Sequence, residues 1–526
     1  MSIGEAFYST VEKGSAVRDG NRQRWRLPLL CLLLLASLGF TVWLRVTAPP
    51  IDSDTSSFVT LWLVSFLPYL AACLLILTKK PLAGRGRLLE LGVILGGALV
   101  LRAILLPMPP NLSHDSWRYV WDARVTVHGY SPYVYAPNDP TLLHLRNFIF
   151  DNSRFRNVPT LYPPAAQAIY LLSYLVAPDN LFVLKGVLVA LDLGTCCVLA
   201  LVLAARGLDP ARCIVYAWCP LPILEFAIQG HHEAITLLFT ALALLTARST
   251  RRGSRVLTGG LIALATLTNI YPILLLLVVL RFSPADLLAQ QRFERTLSAR
   301  SFMGNVLRGI MLLISAGLRS CKRDWMLLTT CFVTIVLAYV PYLILGHGHA
   351  FGFFGTYVSE ESMNAGPVLL VGRWLGYAFG FKATTALLPG YLFAMLVIGG
   401  VVLVVLWRRI AGRMSMEVAT LLLIAAVFAC STHIFPWYAT ALLPWIAVAL
   451  RPLYSSFALS RLSTAERGLD GAGLAAAFAW YFPCIIVIHY FFDHLKRWEG
   501  YYVLSYGVVI GGLVVAMIVG RKRKRV

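Results

Sequence analysis

A chain of 526 residues that is 58% hydrophobic and 13% charged, with a mean hydropathy of +0.71, does not have the composition of a soluble domain. Its formal charge of +21 could suit a nucleic-acid partner, but lysine and arginine fall in short clusters between apolar runs. That is the positive-inside pattern of a membrane protein, and it argues against nucleic acid. The ten cysteines lie mostly inside apolar runs and form no C-x-x-C pair, so neither a redox motif nor a zinc knuckle is indicated.

Apolar runs of the length that crosses a hydrocarbon core recur, and they predict an all-α polytopic protein of about fourteen transmembrane helices. Placing every basic loop on the cytoplasmic side orders them. Residues 1–80 comprise a basic cytoplasmic N-terminus, without a cleavable signal peptide, and an added hairpin with spans at 27–47 and 58–78. A catalytic core is expected over 81–450. Its span at 88–107 leads into a large outer loop, 107–162. Tyr162-Pro163-Pro164 then opens the apolar stretch 165–176. A crossing there would put the later basic loops outside, so this stretch is expected to lie along the outer interface.

Spans at 181–205, 213–229 and 234–247 follow, with Gly230-His231-His232-Glu233 outside and the basic cluster 248–255 inside. The run 256–280 is interrupted by Asn269-Ile270-Tyr271-Pro272 and has basic residues at both ends. Two short helices meeting at an outer break satisfy that pattern, and the proline favours the break. A basic, partly amphipathic cytoplasmic loop occupies 281–325. A span at 326–346, a second outer loop at 347–384 and spans at 385–406, 416–432 and 436–450 complete the core. Residues 451–526 form a C-terminal hairpin, with spans at 473–490 and 501–520, and a basic tail. Both termini are then cytoplasmic. All ten histidines fall in outer loops or at outer helix ends, which makes the outer face the chemically equipped one.

The densest chemistry is His114-Asp115-Ser116-Trp117-Arg118-Tyr119-Val120-Trp121-Asp122, just beyond a span. Glycosyl transfer from a lipid-linked donor needs a base at headgroup level and cations for the departing phosphate. Asp115 is placed for the first role. Asp122 follows by seven residues, two helical turns, with Arg118 between. An interfacial salt bridge and a helix cap explain the same residues without chemistry. Gly230-His231-His232-Glu233 could supply a second acid or base, or hold a divalent metal with Asp115 or Asp122; it is not H-E-x-x-H. Arg124, Arg146, Arg154, Arg156 and Arg373 are the remaining outer cations available to a phosphate. His433-Ile434-Phe435-Pro436-Trp437-Tyr438 is either a tight turn with interface aromatics or a pocket wall.

Together, Asp115-x-x-Arg118-Tyr119-x-Trp121-Asp122-x-Arg124, Gly129-Tyr130-Ser131-Pro132-Tyr133-x-Tyr135-Ala136-Pro137 and Tyr162-Pro163-Pro164-x-x-Gln167 resemble the first outer loop of GT-C glycosyltransferases. The similarity is strongest to the bacterial polyprenol-phosphate-mannose-dependent branch. Ala217-Trp218-Cys219-Pro220-Leu221, the Gly-His motif, the helix break and the Phe435–Tyr438 turn fit it too. The resemblance spans roughly 88–450. It departs at Asn269, where lysine is common, and at Glu233, where aspartate is frequent.

The resemblance implies a GT-C-like bundle that moves a hexose, mannose above all, from an outer-leaflet polyprenyl phosphate to a lipid, glycan or protein acceptor, with inversion, in a bacterial cytoplasmic membrane. It implies Asp115 as the base, with Asp122 and Glu233 as further catalytic carboxylates. Arg118, Arg124 and Arg373 would hold the phosphate. His114, Tyr119, Tyr133, Tyr162, His231, His232 and Trp437 would complete the substrate site. No metal ligand is assigned, and a divalent cation stays open as cofactor. A transporter or lipid flippase is the alternative, and a non-catalytic scaffold the third reading. Transporters place ionisable groups near the midplane and show repeats; here the mid-span regions look nearly free of charge except at Asp192, and no fixed repeat is present.

Overall fold

The computed structural model describes residues 25–51, 53–296, 302–353, 365–380, 387–451, 471–495 and 498–522. The basic segment 18–24, parts 354–364 and 381–384 of the second outer loop, and the tail residues 523–525 lie outside the described residues. The elements of the described residues are helical.

Among the described residues, seven helices are long and apolar enough to cross a membrane: Arg26–Thr47, Ser56–Thr78, Gly84–Leu105, Leu181–Ala205, Trp325–Leu345, Leu388–Ile410 and Gly500–Gly520. Two further pairs qualify only together and are bent, Pro210–Ala217 with Pro220–Gln229 by 55° and Tyr271–Val279 with Pro284–Arg295 by 89°. Pro164–Val176, Glu233–Thr246, Met416–Cys430 and Ala472–Ile485 are apolar but shorter. At about 1.5 Å per residue these fall short of a hydrocarbon core about 30 Å thick. The described helices therefore do not amount to fourteen straight spans.

The expected span 213–229 is in fact two pieces. Pro220 has no N–H to continue the first piece and starts the second. The run 256–280 is likewise Arg252–Thr266 and Tyr271–Val279, with Asn269 in the break. The basic loop after it folds into Pro284–Arg295 and Phe302–Arg323; the first begins with a capping box between Ser283 and Asp286.

The chain forms two compact units. The first takes in 1–160, 166–241 and 435–526, the second 161–165 and 242–434. Inside the first unit, the Tyr69 hydroxyl donates to Val215 O at 2.7 Å and accepts from Trp480 Nε1 at 2.8 Å, which ties the N-terminal hairpin to a C-terminal helix. Buried charge is more abundant here than the apolar sequence suggests, and it is paired. Arg26 grips Glu90 through bonds of 2.6 and 3.0 Å, while Asp192 accepts from both Arg102 and Tyr216. Pairing is the condition under which such groups leave water. In the second unit, buried Asp324 collects Arg255 at 2.9 Å and Arg281 at 2.7 Å. Gly259 lets the helix Arg252–Thr266 approach Trp325–Leu345 so closely that a Cβ there would stand 2.3 Å from Leu327 O.

Candidate active site

Asp115 is the first residue of the helix Asp115–Val127. The Ser113 hydroxyl accepts its backbone N–H at 3.2 Å, and the helix stops at Gly129, whose φ of +84° is left-handed. A carboxylate on this first turn is favoured by the helix dipole. Its side chain is 20% exposed, so one edge stays open to a ligand.

His231 stands 3.9 Å from it, Nε2 to Oδ2. The ring is fully buried, and its Nδ1 bonds to Glu225 Oε2 at 2.8 Å. Glu225 also accepts from the Tyr490 hydroxyl at 3.2 Å and, through its main-chain carbonyl, from the His231 N–H at 3.0 Å. A wide π-helical turn over Glu225–Gln229 makes this possible, because it brings residue 231 back over residue 225. Lys185 Nζ holds that turn by donating to Ala227 O at 3.1 Å and to Met108 O. Gly230 closes it with a φ of +72°. Any larger residue would be strained there, and a Cβ would sit 2.9 Å from Lys185 Cγ and 3.0 Å from Ser116 Cβ.

Trp437 completes the setting. Its ring lies against His231 with centroids 4.0 Å apart, and Phe435 stacks on Trp437 at 4.6 Å. The flanking pair of the Gly-His motif faces another wall. His232 Nδ1 bonds to the Tyr119 hydroxyl at 3.0 Å, and Tyr119 stacks on Tyr170 at 4.5 Å. Glu233 is buried, its Oε1 3.8 Å from His232 Nε2.

Burial pushes the Asp115 carboxyl above its ordinary value; His231, then Arg154, His114 and Arg118, pull it back, but not fully. Burial works against a charged His231, yet the hydrogen bond and charge of Glu225 outweigh it, and the imidazole titrates above its ordinary value. The result is a partly exposed carboxylate facing an imidazole that a buried carboxylate holds in place. A protonated His231 stabilises the ionised Asp115 carboxylate, which can then accept a proton and become neutral.

Other residues singled out from sequence sit elsewhere. Arg118 is buried; its guanidinium donates to Asp122 Oδ1 at 2.8 Å, Phe155 O at 2.7 Å and Val158 O at 3.0 Å. Asp122 Oδ2 also accepts from Gln167 at 3.0 Å. This pair locks the loop to its helix. Arg124 is engaged by Asp179 and by Leu145 O at 2.9 Å. His114 Nδ1 donates to Asn152 O at 2.7 Å, and Tyr133 is buried. Tyr162 and Arg373, both half-buried, belong to the second unit. Among the described residues no three His, Cys, Asp or Glu side chains are grouped to hold a metal ion.

Two members of the constellation escape sequence reading. Glu225 falls in an expected span, where an ionisable residue is itself the signal. Tyr490 comes from 265 residues downstream, and no local pattern announces it. Arg154, one of several outer cations by sequence, is exposed and within electrostatic reach of Asp115.

No protein-family model matches the chain, and no curated protein matches it. Among solved structures, ArnT from Cupriavidus metallidurans bound to undecaprenyl phosphate is similar at 16% identity, over 81% of this chain and 74% of that one, with a TM-score of 0.37.

The two aspartates of the loop should separate by experiment. Asp122→Asn removes one partner of a buried pair and is expected to cost about 3–5 kcal/mol. Asp115→Asn, on a partly open edge, removes a helix-dipole interaction and a neighbour of His231 but no bonded pair, and is expected to cost about 1 kcal/mol or less. Unfolding midpoints in detergent measure both; equal losses would contradict the division of roles.

Proposed function

We propose that this chain is a GT-C-type membrane glycosyltransferase that moves a hexose from a polyprenyl-phosphate sugar to a hydroxyl acceptor, with Asp115 as the base. The observation that carries the reading is the line Asp115–His231–Glu225, an accessible carboxylate backed by a held imidazole. The motif set around it points to the same chemistry. In this reaction the acceptor hydroxyl gives its proton to an Asp115 oxygen as its own oxygen bonds the anomeric carbon. The bond from that carbon to the phosphate oxygen breaks, and the electron pair leaves with the polyprenyl phosphate. A single displacement inverts the anomeric centre. Arg154, exposed and within electrostatic reach of Asp115, joins Arg118, Arg124 and Arg373 as a candidate to meet the departing phosphate. Mannose is the preferred hexose; the acceptor is a lipid, glycan or protein. The site faces the outer leaflet of a bacterial cytoplasmic membrane.

Purified protein in liposomes, given radiolabelled polyprenyl-phosphate mannose or glucose and a membrane extract as acceptor source, should pass the label from the prenyl lipid to an acceptor. Label crossing the bilayer unchanged, or transfer from a nucleotide sugar alone, would sink the proposal.

The pH profile carries a second test. A base must be ionised, so transfer fails as pH falls through the Asp115 pKa. Burial raises that pKa, which places the acid limb above the ordinary carboxylate value of about 4. His231 is the largest influence holding it down. His231→Ala should therefore move the acid limb to higher pH, besides slowing transfer. An acid limb that stays put would remove His231 from the electrostatics of the base.

A further inference from the structure

In the second unit, the helix Phe302–Arg323 has two apolar faces. Leu313 and Ala316 are buried against Ile410 and form a small core with Phe282, Leu406 and Trp407. Leu307, Met311, Ile314 and Leu318 recur at intervals of four, three and four residues, which makes one stripe, and all four are at least half exposed. Apolar exposure is unremarkable on a spanning helix. This helix differs because exposed cations flank the stripe on the helix itself, Arg308, Arg319, Lys322 and Arg323, and others stand on the two helices packed against it, Arg292 and Arg295 on Pro284–Arg295 and Arg408 at the end of Leu387–Ile410.

Beside the stripe lies a groove of about 560 Å³, within the range of pockets that hold small molecules. Phe293, Gly309, Leu313, Val404 and Trp407 give it an apolar lining, and Arg408 adds a charge. The frame is fixed: Trp407 packs edge-on against Phe293 at 5.6 Å and donates to Glu294 at 3.2 Å, while Arg319 donates to the capping residue Asp286 at 2.8 Å. Gly309 keeps the groove open, since its missing side chain would point at the Phe293 ring, 3.5 Å from a Cβ.

We propose that Phe302–Arg323 lies in the plane of the membrane interface and that this groove binds an anionic phospholipid, one acyl chain inside it and the phosphate on Arg408, which lines it, within the field of Arg308 and the other cations of the helix. The proposal is independent of the Asp115 site. An amphipathic helix with basic residues beside an apolar stripe settles at the headgroup boundary and favours anionic lipid. A second copy of this chain would bring the same cations against these and be repelled. An acidic peptide could answer the charge but would leave the stripe in water. A phospholipid satisfies both.

The test uses full-length protein in a non-ionic detergent, titrated with phosphatidylglycerol or phosphatidylcholine, with bound lipid counted by native mass spectrometry. Wild type should retain phosphatidylglycerol in preference to phosphatidylcholine. Gly309→Leu fills the groove and keeps the charges; it should abolish that retention. Arg308→Gln with Arg408→Gln keeps the groove and removes two exposed charges, which should weaken phosphatidylglycerol about 30-fold and leave phosphatidylcholine unchanged. Because the arginine pair is exposed, that variant tests the claim even if Gly309→Leu fails to fold. Equal retention of the two lipids by wild type, or wild-type retention in the arginine variant, would overturn the proposal.

Discussion

The bond between His231 and Glu225 is the interaction on which the rest of the site depends. A fully buried imidazole facing one carboxylate and bonded to another is costly unless every charge has a partner. The chain meets that demand with unusual local structure. A π-helical turn folds residue 231 back onto residue 225, a left-handed glycine closes it, and Lys185 takes up carbonyls the turn leaves over. Loosening any one of these would free the ring, and Asp115 would lose the group that most lowers its proton affinity.

The constellation is assembled from distant parts of the chain. Asp115 comes from the loop after the third span, His231 from a turn between two short helices, and Trp437 and Tyr490 from the C-terminal third. Asp115, Trp437 and Tyr490 stand on helices and His231 on the turn that joins two of them, so the candidate site is placed by rigid elements rather than by the loop alone. The same economy explains Arg118. Buried and bonded to Asp122 and two carbonyls, it fixes the loop's course and so the direction of the helix that begins at Asp115.

Much of this was legible in the sequence. Long apolar runs and basic clusters forecast helices at 26–47, 56–78, 84–105, 181–205 and 325–345 to within a few residues. The mixture of Asp, Arg and aromatic residues after the third span, with the Gly-His turn, singled out from sequence the two segments that meet as Asp115 and His231 in the candidate site. What stayed hidden has physical causes. Hydropathy sums over a window, so it passes over Pro220 breaking a span in two and Glu225 sitting inside it. Residue spacing placed Asp115 and Asp122 on one helical face, but packing gave them different partners: Asp122 was taken by Arg118 and Gln167, and Asp115 was left for His231. Tyr490 could not be anticipated, because local pattern carries no information about a contact 265 residues away.

The role proposed for Asp115 is to remove the proton of the acceptor. It is tested most directly by the rate of hexose transfer from polyprenyl-phosphate sugar in Asp115→Asn, measured on protein whose fold matches wild type. The expected result is a fall in turnover of about 10²–10⁴-fold, the contribution of a positioned general base. Turnover equal to wild type in the folded variant would contradict it and remove Asp115 from the chemistry.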